Sequence, residues 1–482
     1  MDKKLLMLPV FALGMGVLTS CSDDPVSNRD NTPETPVAPT FRDESGDGTG
    51  FISDNAKSME EQQAYLESIG KEAVGIVKTT DFDYWKELAI HLNRKYFEND
   101  YFENDAVESW FENLVETTKL NEHSDSERGQ FWTYIYEYTD YKKLLVLSNL
   151  KAHFNAGIRG WEKEGNAENL KFTFPDQNGA SSELTLTTSG QTKTLHILDD
   201  ESLAGFINNY EMKTSIESID NDQYYIQVPE VIELTFKVAG TERIKTVIRF
   251  DLSSFVTETV DLSRNSFNAN AQVTLDSYQF TTTNTAYKPN RQLATNFTVA
   301  KDNKAVLVFS TNLTDFTATG IGGSIADEDT WDKMDDASFT GGNGTFRLNL
   351  LNKIQVNGRI NNLSSVQNAM KTISDYRTEA EFKQGVASLN SAFTVGVYYD
   401  GKNEKNAFLR FESFSNRDWN GAVRWEFEPV VVMLDKRGNE VSYSLVEENF
   451  FFNDNAFSSL IDAYEKLLND FERFLDDLDN RL

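Results

Sequence analysis

Cysteine and histidine, two of the side chains on which enzymes commonly depend, are scarce in this 482-residue chain. It has one cysteine, Cys21, and four widely spaced histidines, His91, His123, His153 and His196. A lone thiol can be a nucleophile, a disulfide partner or an attachment point, whereas a zinc site needs several converging ligands. The motifs H-E-x-x-H, G-x-x-x-x-G-K-[ST] and G-x-S-x-G are absent from the sequence. We therefore expect a non-enzymatic protein that uses no cofactor.

The first residues of the chain have the layout of a secretory signal peptide. Lys3 and Lys4 are followed by an apolar run over residues 5–18, which is too short to span a bilayer as a helix. The run ends in "LTSC", whose last residue is Cys21, and this ending resembles the lipobox of bacterial lipoproteins. The resemblance implies that residues 1–20 are removed and that the sulfur of Cys21 carries a diacylglycerol. It also implies that the membrane is a partner through this lipid anchor.

The residues after the cysteine bear on where such a lipoprotein would be delivered. Ser22, Asp23 and Asp24 resemble the export signal that sends lipoproteins of Bacteroidetes-type bacteria to the outer face of the outer membrane. The alternative is that these acids are ordinary solvated linker charges. Both resemblances cover only residues 1–24. They imply an outer-membrane protein that faces the cell exterior, and they imply nothing about its ligand.

Charge and composition exclude some classes of partner. The formal net charge is −30 and the pI is near 4.5, which argues against nucleic-acid binding because that function needs a basic surface. Hydrophobic residues make up 39% of the chain and aromatic residues 12%, so most of it should fold. Residues 22–50 are the exception, since they hold four of the nine prolines without apolar periodicity. We interpret this stretch as a disordered tether.

Hydrophobic periodicity predicts an α+β fold in which the elements are grouped in blocks. Ser58 and Glu61 have the spacing of a capping box at the start of a helical segment. Farther along, the period changes to two, which predicts antiparallel hairpins. Five stretches have this form: "ELTLTTSGQTKTLHIL", "VIELTFKVAGTERIKTVIRFDL", "QLATNFTVAKDNKAVLVFS", "TVGVYYDGKNEKNAFLRF" and "VVVMLDKRGNEVSYSL". Helices interrupt the strands, and Ser364 is the predicted N-cap of one of them.

An amphipathic helix is predicted at the C-terminal end of the sequence. It packs either onto its own sheet or against another chain. Its apolar stripe consists of Leu460, Tyr464, Leu467, Phe471, Phe474 and Leu478. The predicted organisation is a signal peptide (1–20), a lipidated cysteine with its tether (21–52), a helical domain (53–167), a mainly antiparallel β domain (168–342) and an α+β domain with the C-terminal helix (343–482).

Three tryptophans are candidate ligand-binding residues because they lie among residues typical of loops. They are Trp161, Trp331 and Trp419, whose rings could stack on sugars if they are exposed. The alternative is that each ring covers the edge of its local core. The acidic, glycine-rich stretch 320–344 raises calcium as a ligand, although its acids do not have EF-hand spacing. The sequence therefore leaves the question of a metal open.

These observations favour a surface-exposed lipoprotein that binds a ligand or partner, either a glycan or another envelope protein. Three alternatives stay open at this level. They are a carrier of hydrophobic ligands, a glycoside hydrolase that uses two carboxylates, and a structural component of an envelope complex. The 76 acidic residues prevent the sequence from selecting a catalytic pair.

We predict that Cys21→Ala moves the protein from the membrane fraction to the soluble fraction. Each methylene of an acyl chain buried in a bilayer contributes about 0.8 kcal/mol, and this variant has no sulfur to carry such chains. Cell fractionation with immunoblotting measures the change. Metabolic labelling with a clickable fatty acid should mark the wild-type chain and leave the variant unmarked.

The matched variant for export replaces Ser22, Asp23 and Asp24 with alanine and keeps Cys21. It should stay in the membrane fraction but resist protease added to whole cells. Continued digestion of this variant would contradict export through these three residues.

Overall fold

A computed structural model describes residues 47–52, 57–97, 107, 110, 150–157, 160–165, 167–196, 225–251, 253, 266–289, 291–319, 338–417, 423–434, 439–444 and 458–482. The helices in these ranges are α1 (Met59–Ile76), α2 (Asp83–Leu92), α3 (Leu363–Ser374), α4 (Glu379–Ala392) and α5 (Ser458–Arg481). The strands are β1 (Phe51–Ile52), β2 (Ala152–Gly157), β3 (Gly160–Glu164), β4 (Leu170–Pro175), β5 (Ser181–His196), β6 (Tyr225–Val238), β7 (Thr241–Asp251), β8 (Phe267–Leu275), β9 (Tyr278–Lys288), β10 (Gln292–Lys301), β11 (Lys304–Thr319), β12 (Ser338–Leu350), β13 (Ile354–Ile360), β14 (Phe393–Tyr399), β15 (Glu404–Arg417), β16 (Val423–Leu434) and β17 (Glu440–Ser444).

The described strands form one mixed, largely antiparallel sheet. From β4 to β17, each strand pairs antiparallel with the next strand along the chain. β2 pairs antiparallel with β3 and parallel with β4, and the short β1 lies parallel to β15. Several connections are tight turns with residues at positive φ, such as Ala239-Gly240 and Asp302-Asn303. The predicted α+β class and antiparallel sheet are confirmed at this level.

Four of the five predicted hairpins are present, and the fifth is one long strand. Residues 183–196 of the stretch "ELTLTTSGQTKTLHIL" belong to β5, which pairs with β6 on both sides of an irregularity between Ser189 and Thr192. Gly190, with φ at +81°, lies at this irregularity. The glycine therefore bends the strand instead of reversing it, which is the usual role of a β-bulge.

Two of the predicted boundaries do not coincide with the secondary structure. Strands β2 and β3 lie between residues 152 and 164, within the segment predicted to be helical to residue 167. Strand β12 runs through the predicted boundary at 342/343 and pairs with strands on both sides. The helix predicted to begin after Ser364 instead has Asn362 as its N-cap, which accepts a hydrogen bond from the amide of Ser365 at 3.1 Å.

The sheet has one apolar face and one polar face, because successive side chains of a strand point to opposite sides. The apolar face packs against helices in three places. Phe382 of α4 packs near Phe411 and Phe427, and Tyr65 of α1 contacts Tyr399. Around α2, the cluster consists of Leu88, Ala152, Phe154, Trp161, Phe174 and Phe236.

Helices α1 and α2 run along the end of the sheet that carries the hairpin turns, and we call residues 59–92 the belt. Its start is fixed by the predicted capping box between Ser58 and Glu61, which is present. Near this start, Tyr65 donates a hydrogen bond to Asp400 in the β14–β15 turn. Two turns of helix later, Glu72 forms an ion pair with Lys353 in the β12–β13 turn.

The middle of the belt contacts the next two hairpins. Lys301, at the end of β10, pairs with Asp81 at 2.6 Å and donates to the carbonyl of Ile76 at 2.8 Å. The indole Nε1 of Trp85 then donates to Asp276 of the β8–β9 turn at 2.9 Å. Belt residues of increasing number thus contact strands of decreasing number.

The last contacts of the belt are made by aromatic and charged groups. The guanidinium of Arg243, just after the β6–β7 turn, lies 3.6 Å from the ring centre of Tyr84 and donates to both carboxylate oxygens of Asp276 at 2.7 and 2.9 Å. Tyr84 donates to Asp176 beside the β4–β5 turn at 3.2 Å. Burial, together with Asp176, raises the pKa of Tyr84 to about 12, so the hydroxyl keeps its proton at neutral pH.

Helix α5 packs on the belt, as a layer outside α1 and α2. Leu460 lies against Gly70, and the ring of Phe471 is 6.0 Å from that of Phe82. Arg481 pairs with Glu87 at 2.6 Å near the other end. The predicted stripe of α5 is half-buried, with the exception of Tyr464, which is 52% exposed.

We predict that Asp81→Asn lowers the free energy of unfolding by about 1–3 kcal/mol at neutral pH, because hydrogen bonds from Lys301 and Tyr278 to a charged acceptor are lost. Burial would raise the pKa of Asp81, but these hydrogen bonds outweigh it and hold the pKa below its usual value. Urea unfolding measures the difference between variant and wild type.

The stability from this carboxylate is fully present above the unfolded-state pKa, about 3.9, and is lost as the pH falls through the lower folded-state pKa. The difference between Asp81→Asn and the wild type should therefore shrink as the pH falls below about 4. Glu379→Gln is the control, since its pair with Lys383 is solvent-exposed and should matter little. A pH-independent effect of Asp81→Asn would contradict the argument.

Candidate functional site

One registered row of side chains crosses the polar face of the sheet over nine consecutive strands, from β6 to β14. Because residues paired in register on neighbouring strands point to the same face, the whole row does so. The row consists of Glu233, Val247, Gln272, Thr281, Thr298, Val308, Asn349, Gln355 and Tyr398. At about 4.8 Å between strands, it extends for about 38 Å along the sheet. The adjacent registered row, formed by the next residue on each strand, points to the other face and is largely apolar. It consists of Leu234, Thr246, Val273, Phe280, Val299, Leu307, Leu350, Ile354 and Tyr399.

Several polar side chains in and beside this row have buried atoms without a hydrogen-bond partner, and we call six of these residues the polar patch. Gln355 is 0% exposed and Asn349 is 1% exposed, and these two residues are paired in register. The patch, with the unpaired atoms in parentheses, consists of Gln272 (Nε2), Thr274 (Oγ1), Gln279 (Oε1), Thr281 (Oγ1), Asn349 (Nδ2) and Gln355 (Nε2 and Oε1). Leaving a buried polar group unpaired costs about 1–3 kcal/mol, so folded proteins contain few of them.

Two amides of the patch are held in fixed orientations by their other atoms. Gln279 donates from Nε2 to Asn303 at 3.0 Å, which leaves its Oε1 as an acceptor. The Oδ1 of Asn349 accepts from the backbone amide of Asn352 at 2.8 Å, which leaves its Nδ2 as a donor. The patch therefore offers donors and acceptors at defined positions.

Two neighbouring threonines on opposite faces of the sheet differ in whether their hydroxyl groups are paired. Thr281 and Thr282 are neighbours on β9, and both are buried. Thr282 points to the other face and accepts a hydrogen bond from the amide of Ala271 at 3.1 Å. Thr281, on the polar face, has no partner for its hydroxyl.

The six residues of the polar patch carry no charge, but charged side chains lie on the same face: Arg347 is two residues from Asn349 on β12, Arg359 is on β13, and others lie on β4–β7. There, Lys245 pairs with Glu233 at 3.3 Å and Lys171 pairs with Glu183. Hydrogen bonding to Lys171 outweighs burial and holds the pKa of Glu183 below its usual value. These carboxylates are paired with lysines, whereas the amides and hydroxyls of the patch have unused hydrogen-bonding capacity.

Trp161 is the candidate ligand-binding residue that the structure describes. Its ring belongs to β3, is only 7% exposed, and lies edge-on to Phe172 and Phe174, with ring centres 5.4 and 5.9 Å apart. The residue therefore contributes to the core on the apolar face and offers no free ring to a sugar. The remaining predicted site residues, Cys21, Ser22, Asp23, Asp24, Trp331 and Trp419, lie outside the described residues.

His91 and His153 make ordinary structural contacts. His91 lies 3.1 Å from the carbonyl oxygen of Pro175, and His153 lies 2.8 Å from Glu164. Within the described ranges, no group of three or more His, Cys, Asp or Glu residues could hold a metal ion. Most of the acidic stretch 320–344 lies outside those ranges.

The polar patch was not recognised from the sequence, although a sign of it was present. In "QVTLDSYQFTTT", the polar residues at positions 272, 274, 279 and 281 alternate with apolar ones. Alternation of this kind predicts a solvated face, and only the folded chain shows that polar atoms on this side are buried.

Comparison with known proteins gave no relative: no family model, curated protein or solved structure matches this chain. Among the helices that the structure describes, none is long and apolar enough to cross a membrane. Its function must therefore be inferred from the geometry of the site and from the sequence.

We predict that Gln355→Met raises the free energy of unfolding by about 1 kcal/mol, because an isosteric apolar side chain removes two unpaired buried atoms. The matched control is Gln62→Met. Gln62 is 1% exposed, but it donates to the carbonyl of Lys57 at 3.1 Å and accepts from the hydroxyl of Tyr399 at 3.4 Å.

The control substitution should lower the free energy of unfolding by about 1–3 kcal/mol, because it leaves the partners of Gln62 unpaired. Urea unfolding of both variants provides the comparison. If Gln355→Met destabilises the protein as much as Gln62→Met does, the amide of Gln355 already has hydrogen-bond partners in solution. The interpretation of the patch as a set of unpaired groups would then be wrong.

Proposed function

We propose that this protein is a surface-exposed outer-membrane lipoprotein that binds an extracellular ligand through its polar patch and catalyses no reaction. The observation that carries the proposed binding role is the concentration of buried, unpaired amide and hydroxyl groups on one face of the sheet. The lipobox-like ending at Cys21 and the acidic residues Asp23 and Asp24 support the proposed location.

Unpaired groups favour binding because a ligand can remove their cost. A site built to hydrogen-bond a ligand leaves its polar groups unpaired when the ligand is absent, and it rejects analogues that cannot pair with them. Gln355, Asn349 and Gln279 together present two donor and two acceptor positions of this kind. A ligand that pairs with them therefore gains affinity and specificity from the same contacts.

The chemistry of the patch favours a neutral ligand rich in hydroxyl groups, which is the chemistry of a glycan. Amides and threonine hydroxyls both donate and accept, as sugar hydroxyls do. A charged ligand would lack a counter-ion within the patch itself, and a hydrophobic ligand would leave its polar atoms unpaired. The patch supports the glycan hypothesis better than it supports a hydrophobic-ligand carrier.

The tether agrees with a ligand outside the cell. The stretch from Cys21 to Asp47 could extend to at most about 90 Å, which is enough to hold the folded part away from the membrane surface. The high negative charge also keeps such a protein soluble and repels like-charged surfaces.

We predict that a neutral oligosaccharide raises the melting temperature of the wild-type chain and leaves that of Gln355→Met unchanged. A ligand at 100 times its dissociation constant stabilises a folded protein by about 2.7 kcal/mol. Differential scanning fluorimetry with a panel of neutral oligosaccharides measures the shift. An acidic oligosaccharide of similar length is the control ligand, and Gln62→Met is the control variant.

Two results would count against the proposal. No shift with any neutral member of the panel would remove the glycan hypothesis. An equal shift for the wild type and for Gln355→Met would place the binding site away from the polar patch.

A further inference from the structure

Helix α5 has a second apolar strip beside the stripe that packs on the belt. Tyr464 is 52% exposed, Leu468 is 45% exposed and Leu475 is 57% exposed, and we call these three residues the α5 strip. They are three of the eight large hydrophobic side chains that are exposed in the described part of the chain. Because residues four and seven apart lie on the same side of a helix, the strip is continuous and about 17 Å long.

The strip belongs to a pattern that repeats every seven residues along the helix. Isoleucine or leucine occurs at positions 461, 468, 475 and 482 of the sequence. The predicted stripe of α5 has the 4-3 spacing of a and d positions in a heptad, so this second series occupies the neighbouring e positions. Single exposed apolar residues are common, whereas an apolar patch bordered by polar residues is typical of an interaction site.

An acidic rim borders the strip on the side away from the belt. The rim consists of Glu465, Glu472 and Asp479, which also recur every seven residues and are exposed. Among the residues that the structure describes, none forms an ion pair or a side-chain hydrogen bond with a rim carboxylate. Lys466 and Arg473 each precede a leucine of the strip by two positions, so they lie on nearly the opposite side of the helix. The surface around the strip is therefore negatively charged.

The charged residues of α5 that face the belt are paired, unlike those of the rim. Asp477 pairs with Lys86 at 2.8 Å, and Arg481 pairs with Glu87 at 2.6 Å. The helix thus has one face whose polar groups interact within this chain. Its other face combines exposed apolar side chains with unpaired carboxylates.

The strip and its rim together indicate the class of partner. A membrane surface is a poor match, because helices that lie on membranes have Lys and Arg beside their apolar face, and anionic lipids repel carboxylates. A second copy of α5 is also a poor match, because it would place one acidic rim against another. A helix with an apolar stripe flanked by Lys or Arg is complementary to both the strip and the rim.

We propose that the α5 strip and its acidic rim bind a basic amphipathic helix of another protein, so that α5 packs between the belt and this partner. The apolar contacts supply affinity, and the carboxylates determine the orientation and the choice of partner. This inference goes beyond the proposed function, because the surface lies on α5 and not on the polar patch.

The test uses a defined peptide as the partner. The probe is a fluorescently labelled synthetic peptide of three heptads with Leu at a and d and Lys at e and g, and the control peptide has Glu at e and g. Like charges at these positions keep each peptide from pairing with itself. Fluorescence anisotropy with the purified protein should show binding of the Lys peptide only. This binding should weaken at least about fivefold between about 0.05 and 0.3 M salt, because salt screens exposed charges.

A pair of variants tests the apolar strip. Leu468→Ser/Leu475→Ser should weaken the binding of the Lys peptide at least about tenfold, because the burial of two leucine side chains is lost. Its control is Met370→Ser/Val423→Ser, which removes two apolar side chains of similar exposure from other elements. Both substituted leucines are exposed, so the strip variant should keep the melting temperature of the wild type.

A second pair of variants tests the charge of the rim. The rim variant is Glu465→Gln/Glu472→Gln/Asp479→Asn, which should bind the Lys peptide at least about fivefold more weakly and with less dependence on salt. The control removes three exposed carboxylates from other elements and is Glu242→Gln/Asp302→Asn/Glu379→Gln. The control should change the affinity by less than about twofold, although it has the same net charge as the rim variant.

Three results would overturn the proposal. One is the absence of binding between the Lys peptide and the wild type, and another is equal binding to the wild type and to either α5 variant. The third is a dimer in sedimentation velocity that Leu468→Ser/Leu475→Ser converts to a monomer, because a second copy would then occupy the strip. None of these results affects the proposed function, since oligosaccharide binding is measured separately and depends on the polar patch.

Discussion

The contacts between the belt and the hairpin turns are the constraint on which the rest of this structure depends. The described strands from β4 to β17 pair with their neighbours along the chain, and the pairings of β1 with β15 and of β2 with β4 do not join one hairpin of this meander to another. Strand pairing alone therefore fixes no relation between distant hairpins. The belt supplies that relation, because residues 65 to 91 contact six hairpins, from β14–β15 near its start to β4–β5 near its end. A helix rises about 1.5 Å per residue, which gives a stiff edge to a sheet that could otherwise twist freely.

The two faces of the sheet differ in their packing and in the pairing of their buried polar groups. Helices cover the apolar face at the three clusters, where aromatic side chains such as Trp85 and Phe236 pack together. Buried polar groups that belong to the belt are paired: Gln62 has two partners, and the hydroxyl of Tyr84 has Asp176. The unpaired groups of the patch lie on the opposite face. Stability is thus concentrated on one side of the sheet and unused hydrogen-bonding capacity on the other.

The sequence was informative wherever a local rule determined the structure. The turn residues Gly240, Asp302 and Asn303 tolerate positive φ, and the sequence predicts the hairpins around them. The same rule failed at Gly190, because a glycine at positive φ serves a bulge as well as a turn. The prediction of a loop around Trp161 is wrong for a different reason. Its glycine-rich surroundings are typical of a loop, but long-range packing against Phe174 places Trp161 in a strand. The burial of the patch depends on the whole sheet, so no local pattern reports it.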